Sequence, residues 1–316
     1  MILVKIMGGL GNQLFQYAAG RSLALKHNTS LKLDLSDYHE ISFRKYYLHH
    51  FRIKADIATF SDIFPLYKPE WINQVFSNYC GNRVANKSLQ IMKRLGIYDL
   101  DVRYNQDPTN SSLLIGHVAA QRFIHYDHEF ELLPDDVYLY GFWVSKRYFS
   151  KYKEQICREL TIHQPLMDNN LYLSNRIKEL QSVSIHIRRT DKVSNPNFYP
   201  TTIDYCKRAI ARIEELIKNP TYFIFSDDIC WVKESFPQDS KFIFVDHNND
   251  LTSYEDFRLM SMCKHNIIAE SSFSWWAAIL NSNQEKVVIS PNPNRWINLP
   301  ISHISEIMPK EWIVLY

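Results

Sequence analysis

From Val183 to Ile289 short apolar strands and helices alternate without a break, and this alternation constrains the fold more than any other feature of the chain. Val183, Ile185 and Ile187 alternate as in a strand, and Thr202 to Lys218 reads as a helix stopped at Asn219-Pro220. Tyr222 to Phe225 reads as a strand running into Ser226-Asp227-Asp228, a helix-start signal. Phe242 to Val245 reads as a strand and Tyr254 to Cys263 as a helix. Ile267 to Ala269 reads as the next strand, after which Ser271 and Ser272 open a helix through Ala277 and Leu280; Val287 to Ile289 is the last strand. Strands separated by helices pair in parallel, in a doubly wound α/β sheet, and such sheets bind ligands outside the carboxyl ends of their strands.

The N-terminus predicts a second unit of the same kind. Ile2 to Ile6 is an apolar strand, Asn12 opens the helical run NQLFQYAAGRSLALKH, and Leu31 to Leu35 alternates again: a βαβ opening with glycines at its first turn. Val137 to Trp143 reads as a further strand, with a helix near 145–160; between 50 and 135 the mixture of aromatic runs and Asn- and Pro-containing loops sets no boundaries. The 316 residues suit two domains, expected at 1–165 and 166–316, and two α/β units of this kind usually enclose a cleft. No internal repeat or low-complexity tract is present.

Glycine is scarce, with eight residues at positions 8, 9, 11, 20, 81, 96, 116 and 141. Three of them fall within four residues, which marks a local demand for tight turning or close backbone approach. None follows Gly141, so the second half must hold any phosphate with helix N-termini, hydroxyls or arginines. Thirty-six Lys and Arg against 34 Asp and Glu leave no basic excess for a nucleic-acid scaffold. The 14% aromatic content suits a core of large side chains or sugar stacking. Five scattered cysteines (Cys80, Cys157, Cys206, Cys230, Cys263) fit reduced thiols, not a disulfide frame or a zinc site. MILVKIMGG is too short in apolar length for a signal peptide, and no run reaches the roughly 18 apolar residues of a membrane span. The expectation is a soluble, cytoplasmic protein that can still work on a membrane-bound substrate.

Three constellations carry chemistry. In Ser184-Ile185-His186-Ile187-Arg188-Arg189-Thr190-Asp191, His186 and Arg188 share one strand face, with two guanidiniums at the strand's carboxyl end. Paired arginines there suit bidentate recognition of phosphate, with Asp191 able to hold one of them; a structural ion pair is the competing reading. In Ala269-Glu270-Ser271-Ser272-Phe273-Ser274-Trp275-Trp276, serines occupy the cap and first turn of a helix. Free amides, helix dipole and hydroxyls there make an anion site without glycine; N-capping accounts for one serine, not three. In Gly8-Gly9-Leu10-Gly11-Asn12-Gln13, a tight turn offers amides and the Asn12 side chain, without the pattern of a dinucleotide fingerprint or a P-loop.

Asp227-Asp228 after a strand and Asp256 in a helix are weaker candidates, able to accept from a ribose or a base edge, or to serve as caps. Asp99-Leu100-Asp101 matches a metal–nucleotide DxD by chance frequency, and His125, His128, His49 and His50 lack a third ligand, so no metal is expected. Taken together, the arginines replace a divalent cation: fixed guanidiniums and helix amides stabilise a departing diphosphate.

At 7–24 (MGGLGNQLFQYAAGRSLA), 184–193 (SIHIRRTDKV), 223–233 (FIFSDDICWVK) and 270–280 (ESSFSWWAAIL) the chain resembles the bacterial α-1,2-fucosyltransferases of glycosyltransferase family 11, block by block and in order. The resemblance implies a GT-B-like fold of two Rossmann-like domains with parallel sheets facing across a cleft, the first on the acceptor side and the second binding GDP-fucose. It implies inverting, metal-independent transfer of L-fucose from GDP-β-L-fucose to the 2-hydroxyl of a galactose-type sugar, in O-antigen or capsule synthesis. No cofactor is implied beyond the donor substrate. The acceptor is a galactose-containing glycan, with a lipid carrier and peripheral membrane association left open. Carried over, Arg188 binds the β-phosphate, with His186 and Arg189 shaping the nucleotide site. Ser271, Ser272 and Ser274 serve the phosphates from the helix start, and Asp256 reads guanine. Asn12, flanked by Gly11 and Gln13, reaches across the cleft toward the β-phosphate and fucose. The α-1,6 relatives place a glutamate where Pro196 stands here, which leaves Asp191 as the nominal base. The rival readings are a GT-B transferase using another nucleotide-sugar and a GDP-binding module without turnover.

Overall fold

The computed structural model describes residues 1–38, 44–63, 114–115, 118–121, 126–193, 199–292 and 304–316. They divide into two compact units. The first comprises Met1–Gly8, Phe15–Arg44 and Ile53–Ile156, and the second Gly9–Leu14, Lys45–Arg52 and Cys157–Tyr316. This partition differs from a single cut at 165/166: residues 157–165 and two N-terminal segments group with the second unit.

The first unit holds a six-stranded sheet of order β3-β2-β1-β6-β5-β4. Its strands are β1 (Ile2–Lys5), β2 (Leu31–Asp34), β3 (Asp56–Ile57), β4 (Leu114–Ile115), β5 (Val118–Ala120) and β6 (Val137–Tyr140). All neighbours run parallel except the β4–β5 pair. Helix α1 (Leu10–His27) follows β1, and its first turn, to Leu14, belongs to the second unit. Gly20 lets α1 lie close on the sheet, because a Cβ there would run into the Val4 side chain. The expected strand to Trp143 stops at Tyr140: Gly141 takes φ +154 and Trp143 φ +54, conformations that leave the extended region. The helix expected near 145–160 begins as a 3₁₀ segment (Lys146–Tyr152) and becomes α-helical only over α3 (Lys153–Glu159), after the short α2 (Phe60–Ile63).

The second unit holds a six-stranded, wholly parallel sheet of order β12-β11-β10-β7-β8-β9. Its strands are β7 (Gln181–Ile187), β8 (Pro220–Ser226), β9 (Phe242–Val245), β10 (His265–Ile267), β11 (Val288–Pro291) and β12 (Ile313–Leu315). The helices are α4 (Asp168–Glu179), α5 (Thr190–Val193), α6 (Ile203–Leu216), α7 (Ile229–Ser235), α8 (Ser253–Met262), α9 (Ser272–Leu280) and α10 (Ile304–Ile307). The doubly wound sheet expected from the strand–helix alternation is present. Differences sit at the ends: β7 and β8 each start two residues earlier than expected, and β10 spans 265–267 where 267–269 was expected. Helix α4 lacks a counterpart in the expectation, as does strand β12; α4 is polar over most of its surface, and Leu173, Ser174 and Ile177 face inward.

The core explains why this sequence folds this way. Along α6, Tyr205, Cys206, Ala209 and Ile213 recur at helical spacing and pack on Val183, Ile185, Ile187, Tyr222 and Ile224 of the adjacent strands β7 and β8. Each such buried aliphatic or aromatic side chain contributes about 1.5–3 kcal/mol relative to exposure, against the cost of ordering the chain. Thr202 caps α6 through its side chain, and Asn219 at φ +51 before Pro220 ends the connection to β8.

Candidate active site

In the second sheet the chain runs from β7 to β8 and β9 on one side, then crosses back to β10, β11 and β12 on the other. The reversal falls between β7 and β10, where helices on opposite faces diverge and leave a crevice at the carboxyl ends of the strands. The motif at 184–191 leaves β7 there, and the motif at 270–276 leaves β10.

Arg188 and Arg189 occupy the β7 end in different ways. Arg188 Nη1 lies 3.0 Å from Asp227 Oδ2, with the two side chains 21% and 18% exposed. Arg189 lays its guanidinium 3.7 Å over the Trp231 ring, with Nε 3.5 Å from Asp228 Oδ2. Its terminal nitrogens make no hydrogen bond among the described residues. Asp227 also accepts from Arg189 N (2.8 Å), Thr190 N (3.2 Å) and Thr190 Oγ1 (2.7 Å), so its carboxylate caps α5 and serves as counter-ion to Arg188. Asp228 is the N-cap of α7. The ion-pair reading of these arginines is met: the carboxylates orient the guanidiniums, and both side chains stay partly exposed.

His186 is 6% exposed, its ring 5.5 Å from that of Phe273, and its Nδ1 has no hydrogen-bond partner among the described residues. Burial drives its pKa down to about 3; Asp227 opposes that shift, and Arg188 and Lys192 add to it. The imidazole is neutral at neutral pH. Asp191 lies in α5, with its side chain outside the described residues, as are Pro196, Asp99, Asp101 and His125 in full.

The three serines of the second motif separate by role. Ser271 is the N-cap of α9 and accepts from Phe273 N at 3.3 Å. Ser274, 2% exposed, accepts from Ala269 N at 3.1 Å and donates to Ser271 O at 3.4 Å, so its hydroxyl ties the helix back to the strand end. Ser272 donates to Asn12 Oδ1 at 2.9 Å.

That last bond joins the third motif to the second. Gly11 packs so closely that an added Cβ would fall onto the Ser272 and Phe273 backbone. Here glycine serves close approach, and the first turns of α1 and α9 meet within one unit. Asn12 is thus held beside the β10 end by the second unit's own residues, where the resemblance implied reach across a cleft. Gln13 points elsewhere: its Nε2 donates to Lys45 O (2.7 Å) and its Oε1 accepts from Tyr47 N (2.9 Å). It clamps the 45–52 segment, which is further held by Tyr47 bonding to Asp250 O and by His50 stacking on Tyr254 at 3.7 Å.

Asp256 sits on α8, accepting from Asn248 Nδ2 at 2.6 Å. Asn248 in turn exchanges amide bonds with Asn170, which also meets His247 Nε2 at 2.8 Å. Burial raises the Asp256 pKa to about 7; the Asn248 bond lowers it and Glu255 raises it. Glu270 was not singled out from the sequence. It is 4% exposed, and its Oε2 lies 3.4 Å from Thr201 Oγ1, which accepts from Arg188 N at 3.1 Å. Lys192 bonds the Glu270 carbonyl. An acidic residue directly before an N-cap was the signal available. Among the described residues no group of three or more His, Cys, Asp or Glu is placed to hold a metal ion, and no helix is long and apolar enough to cross a membrane.

A wholly parallel, doubly wound sheet with oriented guanidiniums and a helix N-terminus at its switch point has the Rossmann-type arrangement, whose strand ends can take an anion. The chain belongs to glycosyltransferase family 11: the model described as "Glycosyl transferase family 11" matches residues 122–315. An α-1,2-colitosyltransferase of Escherichia coli is 31% identical over 99% of this chain and 98% of its own length. The O-antigen biosynthesis glycosyltransferase WbnK of Escherichia coli is 28% identical over 93% of this chain and 99% of its own. Galactoside α-(1,2)-fucosyltransferase 1 of Mus musculus is 28% identical over 45% of this chain and 41% of its own. The protein is therefore a glycosyltransferase.

Proposed function

We propose that this glycosyltransferase moves L-fucose from GDP-β-L-fucose to the 2-hydroxyl of a galactose-type acceptor, with inversion and without a metal ion. In this reaction the acceptor oxygen attacks the sugar's C1, the bond from C1 to the β-phosphate oxygen breaks, and GDP departs with the bonding electrons. The acceptor proton passes to a base, for which Asp191 is the nominal candidate; a loose transition state with late proton loss needs only a weak one. The observation that carries the reading is the convergence of Arg188, Arg189 and the α9 N-terminus at adjacent strand ends. Cationic and dipolar donors fixed in advance stabilise charge on a leaving diphosphate without reorganising. Asp256 supplies the acceptor for a base edge.

The α-1,2 linkage is supported by the colitosyltransferase and fucosyltransferase relatives, and an O-antigen context by WbnK. A second reading, in which colitose is the transferred sugar, is favoured by the colitosyltransferase relative. The work would proceed in the cytoplasm, on a free or lipid-linked glycan.

The test is incubation of the purified protein with GDP-fucose or the corresponding colitose donor and a panel of β-galactosides, followed by linkage analysis. Fucose at the 2-position, undiminished by EDTA, is expected. Loss on chelation restored by Mn²⁺ would overturn the metal-independent mechanism, and preference for UDP over GDP in a thermal-shift titration would overturn the donor.

A further inference from the structure

Ser272 spends its only proton on Asn12: the Oγ–H donates to Asn12 Oδ1 at 2.9 Å. An amide whose oxygen is engaged has its nitrogen fixed on the opposite branch. Asn12 Nδ2 makes no hydrogen bond among the described residues, and the side chain is half-buried. Two N–H donors are thus held in one orientation with no acceptor among the described residues, and, not being buried, they stand ready for a ligand without a protein bond to break.

The surroundings specify the ligand's charge. Gly11 brings the first turn of α1 against that of α9, so two helix N-termini converge. Each carries roughly half a positive charge, and their approach is unfavourable unless an anion lies between or beside them. Both helices are long enough to express the effect, at 18 and 9 residues.

We propose that Ser272 is a positioning residue: it acts on the donor only through Asn12, locking that amide so that its N–H₂ faces the diphosphate. This deepens the reading above and rests on it. The hydroxyl of Ser272 is then not itself a phosphate ligand, in contrast to what the serine-rich helix start suggests, and Ser271, whose hydroxyl proton is not taken by its capping bond, remains the serine able to donate.

A double-mutant cycle on the full-length protein tests this, with transfer kinetics, GDP affinity by calorimetry and thermal midpoints measured together. Asn12→Ala should lower kcat about 100-fold, as for loss of one oxyanion-type donor. Ser272→Ala should lower it about 3–10-fold, as for one orienting hydrogen bond. The double variant should match Asn12→Ala within about 2-fold, because Ser272 has nothing left to orient. Asn12→Asp keeps the acceptor for Ser272 and replaces the N–H₂, so it should keep its thermal midpoint yet lose activity. Multiplicative effects in the double variant, or an Asn12→Asp protein with normal kcat, overturn the proposal while leaving the donor reading intact. A wild-type protein that binds GDP-fucose in neither assay overturns both.

Discussion

Asp227 holds Arg188 by a 3.0 Å contact while the same carboxylate takes both backbone amides of Arg189 and Thr190. One side chain at the end of β8 thereby sets the position of the cationic loop at the end of β7. Arg188→Ala should lower kcat about 10²–10³-fold. Arg188→Lys should recover little, since a point charge cannot copy a planar fork. Steady-state transfer rates decide it, and near-normal turnover in the alanine variant would remove Arg188 from the phosphate site. Asp227→Ala should cost about 0.5–2 kcal/mol of stability as a lost cap, visible in urea unfolding.

Trp231 gives Arg189 a second kind of support. Trp231→Ala should weaken GDP binding about 3–10-fold, the scale of a partly exposed cation–π contact, whereas Trp231→Phe should keep most of it. Calorimetric titration of both variants checks this; equal losses would mean that the ring acts by bulk alone.

With its pKa raised to about 7 by burial, the Asp256 carboxyl in the proposed base-reading role should make nucleotide affinity depend on pH. The ionised carboxylate accepts from base N–H groups with both oxygens and more strongly than the neutral acid, so GDP affinity should fall as pH drops from about 8 to 6. Stability runs the other way. A carboxyl with a raised folded pKa binds its proton more tightly when folded, so its contribution is fullest in acid and is lost as pH rises through about 7. Asp256→Asn should flatten both profiles, and a GDP affinity in the wild type unchanged between pH 6 and 8 would count against a base-reading role.

His186 imposes an acid limit. Its folded pKa lies near 3 against about 6.5 unfolded, so the unfolded chain takes up the proton first and stability is lost as pH falls from about 6.5 toward 3. Thermal midpoints between pH 7 and 5 should drop less for His186→Gln than for the wild type. A parallel decline in both proteins would assign the acid sensitivity to other groups.

Gly11→Ala tests the meeting of two motifs. The added methyl meets backbone, not a flexible side-chain tip, so the turn must shift at a cost of about 1–3 kcal/mol. Gly9→Ala, where an added Cβ meets nothing within 4 Å, is the control and should leave the midpoint near that of the wild type.

Much of the second unit was legible from periodicity. The alternation of Val183, Ile185 and Ile187 and the spacing of Tyr205, Ala209 and Ile213 are local patterns, and local patterns survive in one dimension. The end of β6 departs from the local pattern because Gly141 and Trp143 leave the extended region under a tertiary constraint: Gln121 Oε1 accepts from both Phe142 N and Trp143 N. The site residues were legible as types. Their division of labour was not: Gln13, Ser274 and Asp227 carry the same donor and acceptor groups as Asn12, Ser271 and Asp256, yet are engaged by backbone 32, 5 and 38 residues away.

The amino-acid sequence alone determined the strand–helix order, the side-chain types available at 186–189 and 271–272 and, through its motifs, the family. Periodicity and residue type are properties of neighbours along the chain. Tertiary structure alone decided which serine caps and which one orients Asn12, and that residues 9–14 belong with a helix more than 250 positions later. Hydrogen bonds and close backbone packing are short-ranged in space and indifferent to separation along the chain, so only the folded molecule assigns their partners.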